Sequence, residues 1–178
     1  MSNLPFVVDI LEDKHTSLLN AFNSSNSEID RYLCEEAFEN QRNGKGVTYL
    51  ILNTNKTSVI AYYTISSSVI LTSVGNNKIS GISAIEILKF AVSVKYQDYL
   101  YNTQYGKILF SDLIFGHLLG DIYSMAINTL GIQMIILHSL PKAVTFYERN
   151  GMDKLNHYYQ ALYDDYNKDC IPMYLPLF

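Results

Sequence analysis

Residues 134–152, MIILHSLPKAVTFYERNGM, decide the fold, and the rest of the chain can be placed around them. The run MIIL at 134–137 is apolar, too short for a helix and rich in β-branched side chains, which predicts an interior strand. Pro141 then suits the first turn of a helix, because it lacks an N–H group. Apolar side chains follow at helical spacing until Gly151 provides a left-handed stop. This arrangement places Tyr147 on a short helix after a central strand.

The same helix carries a recognisable motif. Residues 143–152, AVTFYERNGM, resemble the A-x-x-F-Y-x-x-x-G-F segment of the GNAT superfamily of acetyl-CoA-dependent N-acetyltransferases, with Met152 in place of the usual Phe. The resemblance implies that Tyr147 lies near the sulfur atom of coenzyme A and protonates the leaving thiolate as a general acid. Without the resemblance, Phe146 and Tyr147 would simply be helix residues that pack a core.

Two further segments resemble one branch of this superfamily, which includes toxins that acetylate aminoacyl-tRNA. Residues 22–33, FNSSNSEIDRYL, are similar to the F-x-C-G-x-x-x-L-D-x-Y-L opening of that branch, with two serines in place of Cys-Gly. Residues 61–66, AYYTIS, resemble its G-Y-Y-T-L-S strand, with Ala61 in place of the glycine. The alternative for the tyrosine pair is cross-strand packing, which aromatic side chains favour on any sheet.

Strands and helices alternate along the chain, which predicts a mixed sheet with helices on both faces. A capping box at 25–28 opens an early helix, and 47–52 and 59–65 form a hairpin. Residues 69–74 are expected to form a further strand. A strand, helix, strand unit at 85–137 predicts a parallel crossover. The resemblance implies an α+β, sandwich-like GNAT fold with a splayed central sheet, and we expect one domain over residues 1–178.

Residues 85–92, IEILKFAV, resemble the L-x-R-L-A-V strand that lies along the pantetheine arm in GNAT enzymes. The resemblance implies that a backbone N–H near Val92 polarises the thioester carbonyl. The family continues with Q/R-x-x-G-x-G/A, whose amides hold the pyrophosphate at a helix N-terminus. Here Gln97 is present but the only glycine is Gly106, so we expect a lengthened loop in which Gly106 and Lys107 open the helix. The expected acetyl-CoA contacts are Phe90, Ala91, Val92, Gln97, Tyr105, Gly106, Lys107 and Phe146.

The predicted reaction is acetyl transfer from acetyl-CoA to a primary amine in a ternary complex. The amine proton would pass to Glu86, to His138 or to water. Glu86 is the one acid in its strand, and the alternative is a carboxylate that faces water at the strand entrance. An imidazole accepts protons at neutral pH, and the alternative for His138 is a hydrogen-bonded histidine at a strand end.

Composition limits the class of protein. With 178 residues, 48% hydrophobic and 17% charged, the chain is expected to be globular rather than disordered. Charged residues interrupt the apolar stretch at 108–130, so no membrane span is expected. Cys34 and Cys170 lie far apart without metal-ligand spacing, which predicts free thiols, no metal site and a cytoplasmic location.

Three functions fit the sequence: two differ in the acceptor of the acetyl group, and the third is not catalytic. A formal net charge of -4 favours a small amine or a peptide N-terminus. The branch segments favour an aminoacyl-tRNA acetylating toxin with an antitoxin, although only three arginines are present to neutralise tRNA phosphates. The third function is that of a non-catalytic interaction module that lost its phosphate loop. A homodimer is a separate open alternative. A three-dimensional cluster of Lys89, Lys95, Lys107, Lys142 and Arg149 would favour tRNA.

Overall fold

The computed structural model describes residues 4–74, 78–155, 159–160 and 169–178. The predicted polar loop at 75–78 lies almost wholly outside these ranges. So does most of the tyrosine-rich segment at 153–169, whose composition is typical of a recognition surface or of a cap over a sheet edge.

Strands and helices alternate as predicted. The strands are β1 (Val7–Ile10), β2 (Val47–Leu52), β3 (Val59–Val74), β4 (Lys78–Val92), β5 (Leu100–Thr103), β6 (Gly106–Leu109), β7 (Met134–Ser139), β8 (Asp153–Lys154), β9 (Tyr159–Gln160) and β10 (Ile171–Pro176). The α-helices are α1 (Thr16–Leu19), α2 (Ser27–Arg31), α3 (Ala37–Arg42), α4 (Val94–Gln97), α5 (Phe110–Asn128) and α6 (Val144–Arg149). Short 3-10 turns at Asp13–His15 and Pro141–Ala143 precede α1 and α6.

The main sheet is mixed and has the strand order β1-β2-β3-β4-β7-β10-β8, with β9 paired to β3. Strands β5 and β6 form a separate two-stranded sheet. The pair β4 and β7 is parallel, in register from Ala84 with Met134 to Ile87 with Leu137. The predicted parallel strand, helix, strand unit is therefore confirmed, as is the α+β class with a mixed sheet flanked by helices.

The chain divides into two compact units. The first comprises residues 1–65 and 88–115, and the second comprises 66–87 and 116–178. Strands β3 and β4 contribute residues to both units. Whether the whole chain behaves as one domain stays a prediction.

The core of the first unit surrounds Tyr62, a fully buried residue of β3. Its ring makes an edge contact with Phe22 at 5.4 Å between centroids and stacks with Tyr32 at 6.5 Å. Its hydroxyl donates a 2.7 Å hydrogen bond to the carbonyl of Ile29, so the buried polar group is satisfied. The two segments that resemble the toxin branch are thus packed against each other as one aromatic core.

Residue Asn26, rather than Ser25, caps the early helix, which corrects the predicted capping box. The Asn26 side chain accepts hydrogen bonds from the N–H groups of Glu28 and Ile29. Ser25 instead has a φ of 65°, in the left-handed region, which the preceding loop requires. The helix then widens into a π-helical turn at Tyr32–Glu36 before α3. Hydrophobic spacing alone does not reveal this turn.

A smaller apolar cluster of the second unit contains Ile70, Ala84, Met134 and Ile136. Ile70 lies on β3, which continues without a break from Val59 to Val74. The further strand predicted at 69–74 is therefore the second half of β3. A long strand results because no glycine or proline interrupts it.

Candidate active site

Two of the predicted catalytic side chains contact each other in the second unit. The Nδ1 atom of His138 lies 3.2 Å from Oε1 of Glu86. Glu86 pairs with Ile136 across the parallel ladder, and His138 lies two residues further along β7. Because alternate residues of a strand share a face, the register places both side chains on the same face of the sheet. The two candidate bases therefore form a single pair.

Ser68 on β3 completes this polar group. Its Oγ atom donates a hydrogen bond of 3.3 Å to Oε2 of Glu86, the oxygen that does not face His138. Both carboxylate oxygens of Glu86 thus have partners, which holds the carboxylate in one orientation. Glu86 lies inside β4 rather than at its entrance, and its side chain is only 20% exposed. The alternative of a water-facing carboxylate is therefore wrong.

Tyr147 is a buried residue of α6. Its ring makes an edge contact with Phe146 at 5.1 Å, and the guanidinium of Arg149 lies 5.0 Å from the Phe146 ring. Burial, with a smaller contribution from Cys170, raises the pKa of the Tyr147 hydroxyl above its ordinary value. A phenol with a raised pKa stays protonated at neutral pH, as a proton donor must before it acts.

The helix around Tyr147 ends as the sequence predicts. Gly151 has a φ of 90°, the left-handed conformation that favours glycine. The N–H of Met152 donates to the carbonyl of Tyr147 at 3.1 Å, and the amide of Asn150 donates to the carbonyl of Phe146 at 2.8 Å. Met152, which replaces the phenylalanine of the motif, is buried and fills an apolar position.

The first unit contains the strand end that was predicted to contact acetyl-CoA. Ala91 and Val92 are buried, and Ala91 belongs to the core around Tyr62. The Nε2 atom of Gln97 donates to the carbonyls of Val92 at 2.9 Å and Ser24 at 3.0 Å. Both amide hydrogens of Gln97 are thereby used to join the end of β4 to the loop before α2. These two hydrogen bonds of Gln97 fix the position of the end of β4.

A hairpin replaces the predicted helix opening at Gly106 and Lys107. Residues 106–109 form β6, which pairs with β5 from Leu100 with Leu109 to Thr103 with Gly106. Helix α5 starts only at Phe110. The prediction that Gly106 and Lys107 open a helix and hold pyrophosphate there is therefore wrong in its structural premise. Gly106 has a φ of 124° at the point where the chain leaves the hairpin turn and enters β6.

The basic residues named for tRNA belong to different units. Lys89, Lys95 and Lys107 are in the first unit, whereas Lys142 and Arg149 are in the second. The ammonium of Lys89 lies 5.4 Å from the centre of the Tyr32 ring. A combined cationic cluster therefore stays a prediction.

Among the described residues, no group of three or more His, Cys, Asp or Glu side chains is placed to hold a metal ion. Neither Cys34 nor Cys170 is part of a disulfide within the described ranges. Within the described ranges, none of the helices combines the length and apolar character that crossing a bilayer requires.

Solved structures of bacterial toxins have the same fold as this chain. A mutant of the toxin AtaT has a TM-score of 0.73 at 18% identity, over 97% of this chain and 90% of that chain. A structure of mutant AtaT bound to acetyl-CoA and the C-terminus of the antitoxin AtaR has a TM-score of 0.69 at 18% identity, over 97% and 94% of the two chains. AtaT complexed with acetyl-methionyl-tRNAfMet has a TM-score of 0.70 at 18% identity, over 96% and 94%.

The chain therefore shares the fold of these toxins, the branch to which the sequence motifs pointed. No protein-family model and no curated protein sequence matches the chain. The similarity is thus one of three-dimensional structure, at sequence identities that establish the fold alone.

Proposed function

We propose that this protein transfers an acetyl group from acetyl-CoA to the α-amino group of an aminoacyl-tRNA. The observation that carries the proposal is the match to AtaT complexed with acetyl-methionyl-tRNAfMet, which extends over nearly the whole of both chains. The packed aromatic core formed by residues 22–33 and 61–66 adds support, because both segments resemble the toxin branch. This acceptor is the alternative that the net charge disfavoured.

The pair of Glu86 and His138 supplies the base in this proposal. The acceptor nitrogen attacks the thioester carbonyl, so that a C–N bond forms and the C–S bond breaks. His138 accepts the proton that the nitrogen loses, and the Glu86 carboxylate beside Nδ1 stabilises the resulting imidazolium. Ser68 is a positioning residue, since it contacts only the carboxylate.

Tyr147 supplies the acid. The departing thiolate takes the phenolic proton, so the thiol is released uncharged. Because burial raises the pKa of Tyr147, the phenol is fully protonated when the reaction starts.

Acetyl-CoA is the proposed acetyl donor, and the match to an AtaT structure that contains acetyl-CoA supports it. Phe90, Ala91, Val92, Gln97 and Phe146 keep their predicted role as contacts to the donor. The amide near Val92 remains the predicted group for polarising the thioester. The hairpin at 100–109 provides no helix N-terminus at Gly106, so the pyrophosphate is expected to bind elsewhere.

A small amine or peptide N-terminus is the second candidate acceptor. The net charge of -4 favours it, because a neutral or cationic amine needs no phosphate neutralisation.

The missing glycine-rich loop favours the third candidate, a module that binds no acetyl-CoA. Expected partners under the first proposal are tRNA and a neutralising antitoxin, and a homodimer and a cytoplasmic location stay predictions.

Acetylation assays separate these candidates. Purified protein is incubated with labelled acetyl-CoA and with aminoacyl-tRNA, uncharged tRNA, or a panel of small amines and peptides. Label should enter aminoacyl-tRNA, and mild alkaline hydrolysis should release it as an N-acetyl amino acid. Transfer to amines alone would establish the second candidate. An absence of heat in a calorimetric titration with millimolar acetyl-CoA would instead establish the non-catalytic module.

A further inference from the structure

The hairpin formed by β5 and β6 has a well-defined turn. The Oγ1 atom of Thr103 accepts a hydrogen bond from the N–H of Tyr105 at 3.1 Å and donates one to the carbonyl of Gly106 at 2.8 Å. Gly106 takes the left-handed φ that closes the turn. The backbone of the tip is thus held by its own hydrogen bonds.

Tyr105 is 91% exposed at this tip, more than any other large hydrophobic side chain in the described ranges. The neighbouring tyrosines, in contrast to Tyr105, pack against a buried side chain. The rings of Tyr96, Tyr99 and Tyr101 lie within 5.6 to 5.7 Å of the buried ring of Phe110. These contacts anchor the base of the hairpin. An aromatic ring that contributes nothing to packing, on an anchored and ordered arm, is suited to contacting a partner.

Strand alternation gives the hairpin two chemically different faces. Tyr101 pairs with Ile108 and packs towards Phe110. Asn102 pairs with Lys107 on the opposite face, and both of these side chains are exposed. The outward face therefore presents an amide and an ammonium group, close in sequence to Tyr105 at the tip.

We propose that this hairpin binds the unpaired 3′ end of an RNA, with the Tyr105 ring stacked on a base and Lys107 on a phosphate. The inference rests on the proposed function, since the acceptor amino group of aminoacyl-tRNA is attached to such an end. Unpaired bases stack on aromatic side chains, and amides hydrogen-bond to their exposed edges. The segment 94–109 also carries two lysines against one acid, Asp98, in a chain whose net charge is -4.

A direct binding experiment tests the inference without catalysis. Fluorescence anisotropy compares two RNA stem-loops, one with four unpaired 3′ nucleotides and one with a blunt end, at low salt. The wild-type protein should prefer the stem-loop with the overhang. Tyr105→Ala should weaken binding to it by about 5- to 100-fold, because one stacked base is lost. Tyr105→Phe should keep the affinity, since stacking requires only the ring.

Lys107→Ala tests the phosphate contact separately. The slope of log affinity against log salt should fall by about 0.7, the value for one phosphate of a single strand. Tyr123→Ala is the matched control, because Tyr123 is also exposed, at 45%, but lies on α5 in the second unit. This control should bind both stem-loops as the wild type does. All of these side chains are exposed, so the fold is expected to be retained.

The results of these binding experiments can be told apart from a failure of the proposed acetyl transfer. Unchanged overhang binding in Tyr105→Ala would overturn the inference, even if the wild type acetylates aminoacyl-tRNA. Such a result would fit a hairpin that contacts a protein. Weaker acetyl-CoA binding in Tyr105→Ala, with unchanged RNA binding, would also overturn it and assign the hairpin to the donor. Loss of overhang preference would support the inference even where no acetyl transfer is detected.

Discussion

The Nδ1 atom of His138 lies 3.2 Å from Oε1 of Glu86, although 52 positions separate them in the sequence. The parallel register of β4 and β7 produces this contact, because it aligns Glu86 with Ile136 and brings His138 onto the same face. A carboxylate next to an imidazole fixes the orientation of the ring. The two residues, predicted as alternative bases, are therefore proposed to act as one pair.

The first prediction is that Glu86 and His138 act together. His138→Gln should lower kcat for acetyl transfer by about 100- to 10,000-fold, and Glu86→Gln by a smaller factor, because general base catalysis contributes on that order. The double variant should lose no more than His138→Gln alone, since residues that act as a unit are non-additive. Steady-state kinetics of the three variants measures this.

Glu148→Gln is the matched control for the loss of a carboxylate. Glu148 lies on α6 and pairs with Lys154 at 3.0 Å on the surface. Its substitution should leave kcat unchanged, because a surface ion pair contributes at most about 1 kcal/mol to stability. Additive losses in the Glu86 and His138 double variant would show that the two residues work independently.

The second prediction concerns Tyr147 as the acid. Tyr147→Phe keeps the buried ring and removes only the hydroxyl. We expect kcat to fall by about 100- to 10,000-fold while the Kd for acetyl-CoA, measured by calorimetry, changes little. Tyr123→Phe, which removes a hydroxyl from an exposed ring on α5, should retain full turnover.

A purely structural role for Tyr147 predicts a different pattern. Turnover of Tyr147→Phe would then match the wild type, and only the melting temperature would shift, because the variant lacks one buried polar group. That result would remove Tyr147 from the mechanism and leave α6 as a core element.

The third prediction is that Asp30, a residue of the toxin-branch segment, stabilises the fold. Its Oδ1 atom accepts hydrogen bonds from the Oγ of Ser24 at 2.6 Å and from the N–H of Ser24 at 3.0 Å. Asp30→Ala leaves both donors without this acceptor, so the free energy of unfolding should fall by about 1.5 to 3 kcal/mol. Urea unfolding of this variant and of Glu28→Ala, an exposed acid of the same helix, measures the difference. An equal loss in both variants would contradict a specific role for Asp30.

The fourth prediction is a loss of stability in alkali. Burial raises the pKa of both Tyr62 and Tyr147 in the folded state. A raised folded-state pKa means that stability is fully present below the unfolded-state pKa of about 10 and declines as the pH rises above it. Each of the two tyrosines should contribute about 1.4 kcal/mol per pH unit to this decline.

Urea unfolding between pH 9 and 11.5 tests the alkaline effect. The slope of the free energy of unfolding against pH should become shallower in Tyr147→Phe, because one titrating group is gone. Tyr105→Phe, at the exposed hairpin tip, should leave the slope as in the wild type. An unchanged slope in Tyr147→Phe would mean that its hydroxyl ionises as freely in the folded chain as in the unfolded one.

Local patterns explain why much of the fold is predictable from the sequence. Pro141 and Gly151 delimit the helix of Tyr147 through fixed backbone preferences, and the apolar run at 134–137 determines a buried strand. The contact between Glu86 and His138 was not predictable in this way, because it depends on which strands pair and in which register.

The cap and the hairpin show two further limits. Asn26 and Ser25 are both good capping residues, and only the backbone conformation of the loop selects Asn26. In the segment at 100–109, two four-residue strands are too short for a distinct hydrophobic period, so family resemblance favoured a helix start at Gly106. The residues themselves pair as strands.

The pairing of Leu100 with Leu109 closes the hairpin at its base, and the N–H of Phe110 donates to the carbonyl of Tyr99 at 2.8 Å just below it. The chain therefore leaves the body of the protein and returns to it at adjacent points. Replacing residues 102–107 with a short glycine-containing turn should therefore keep the base of the hairpin, including the contact of Tyr101 with Phe110. The outer part of this hairpin is therefore suited to exchange between related chains, or to transfer onto another scaffold with its turn intact.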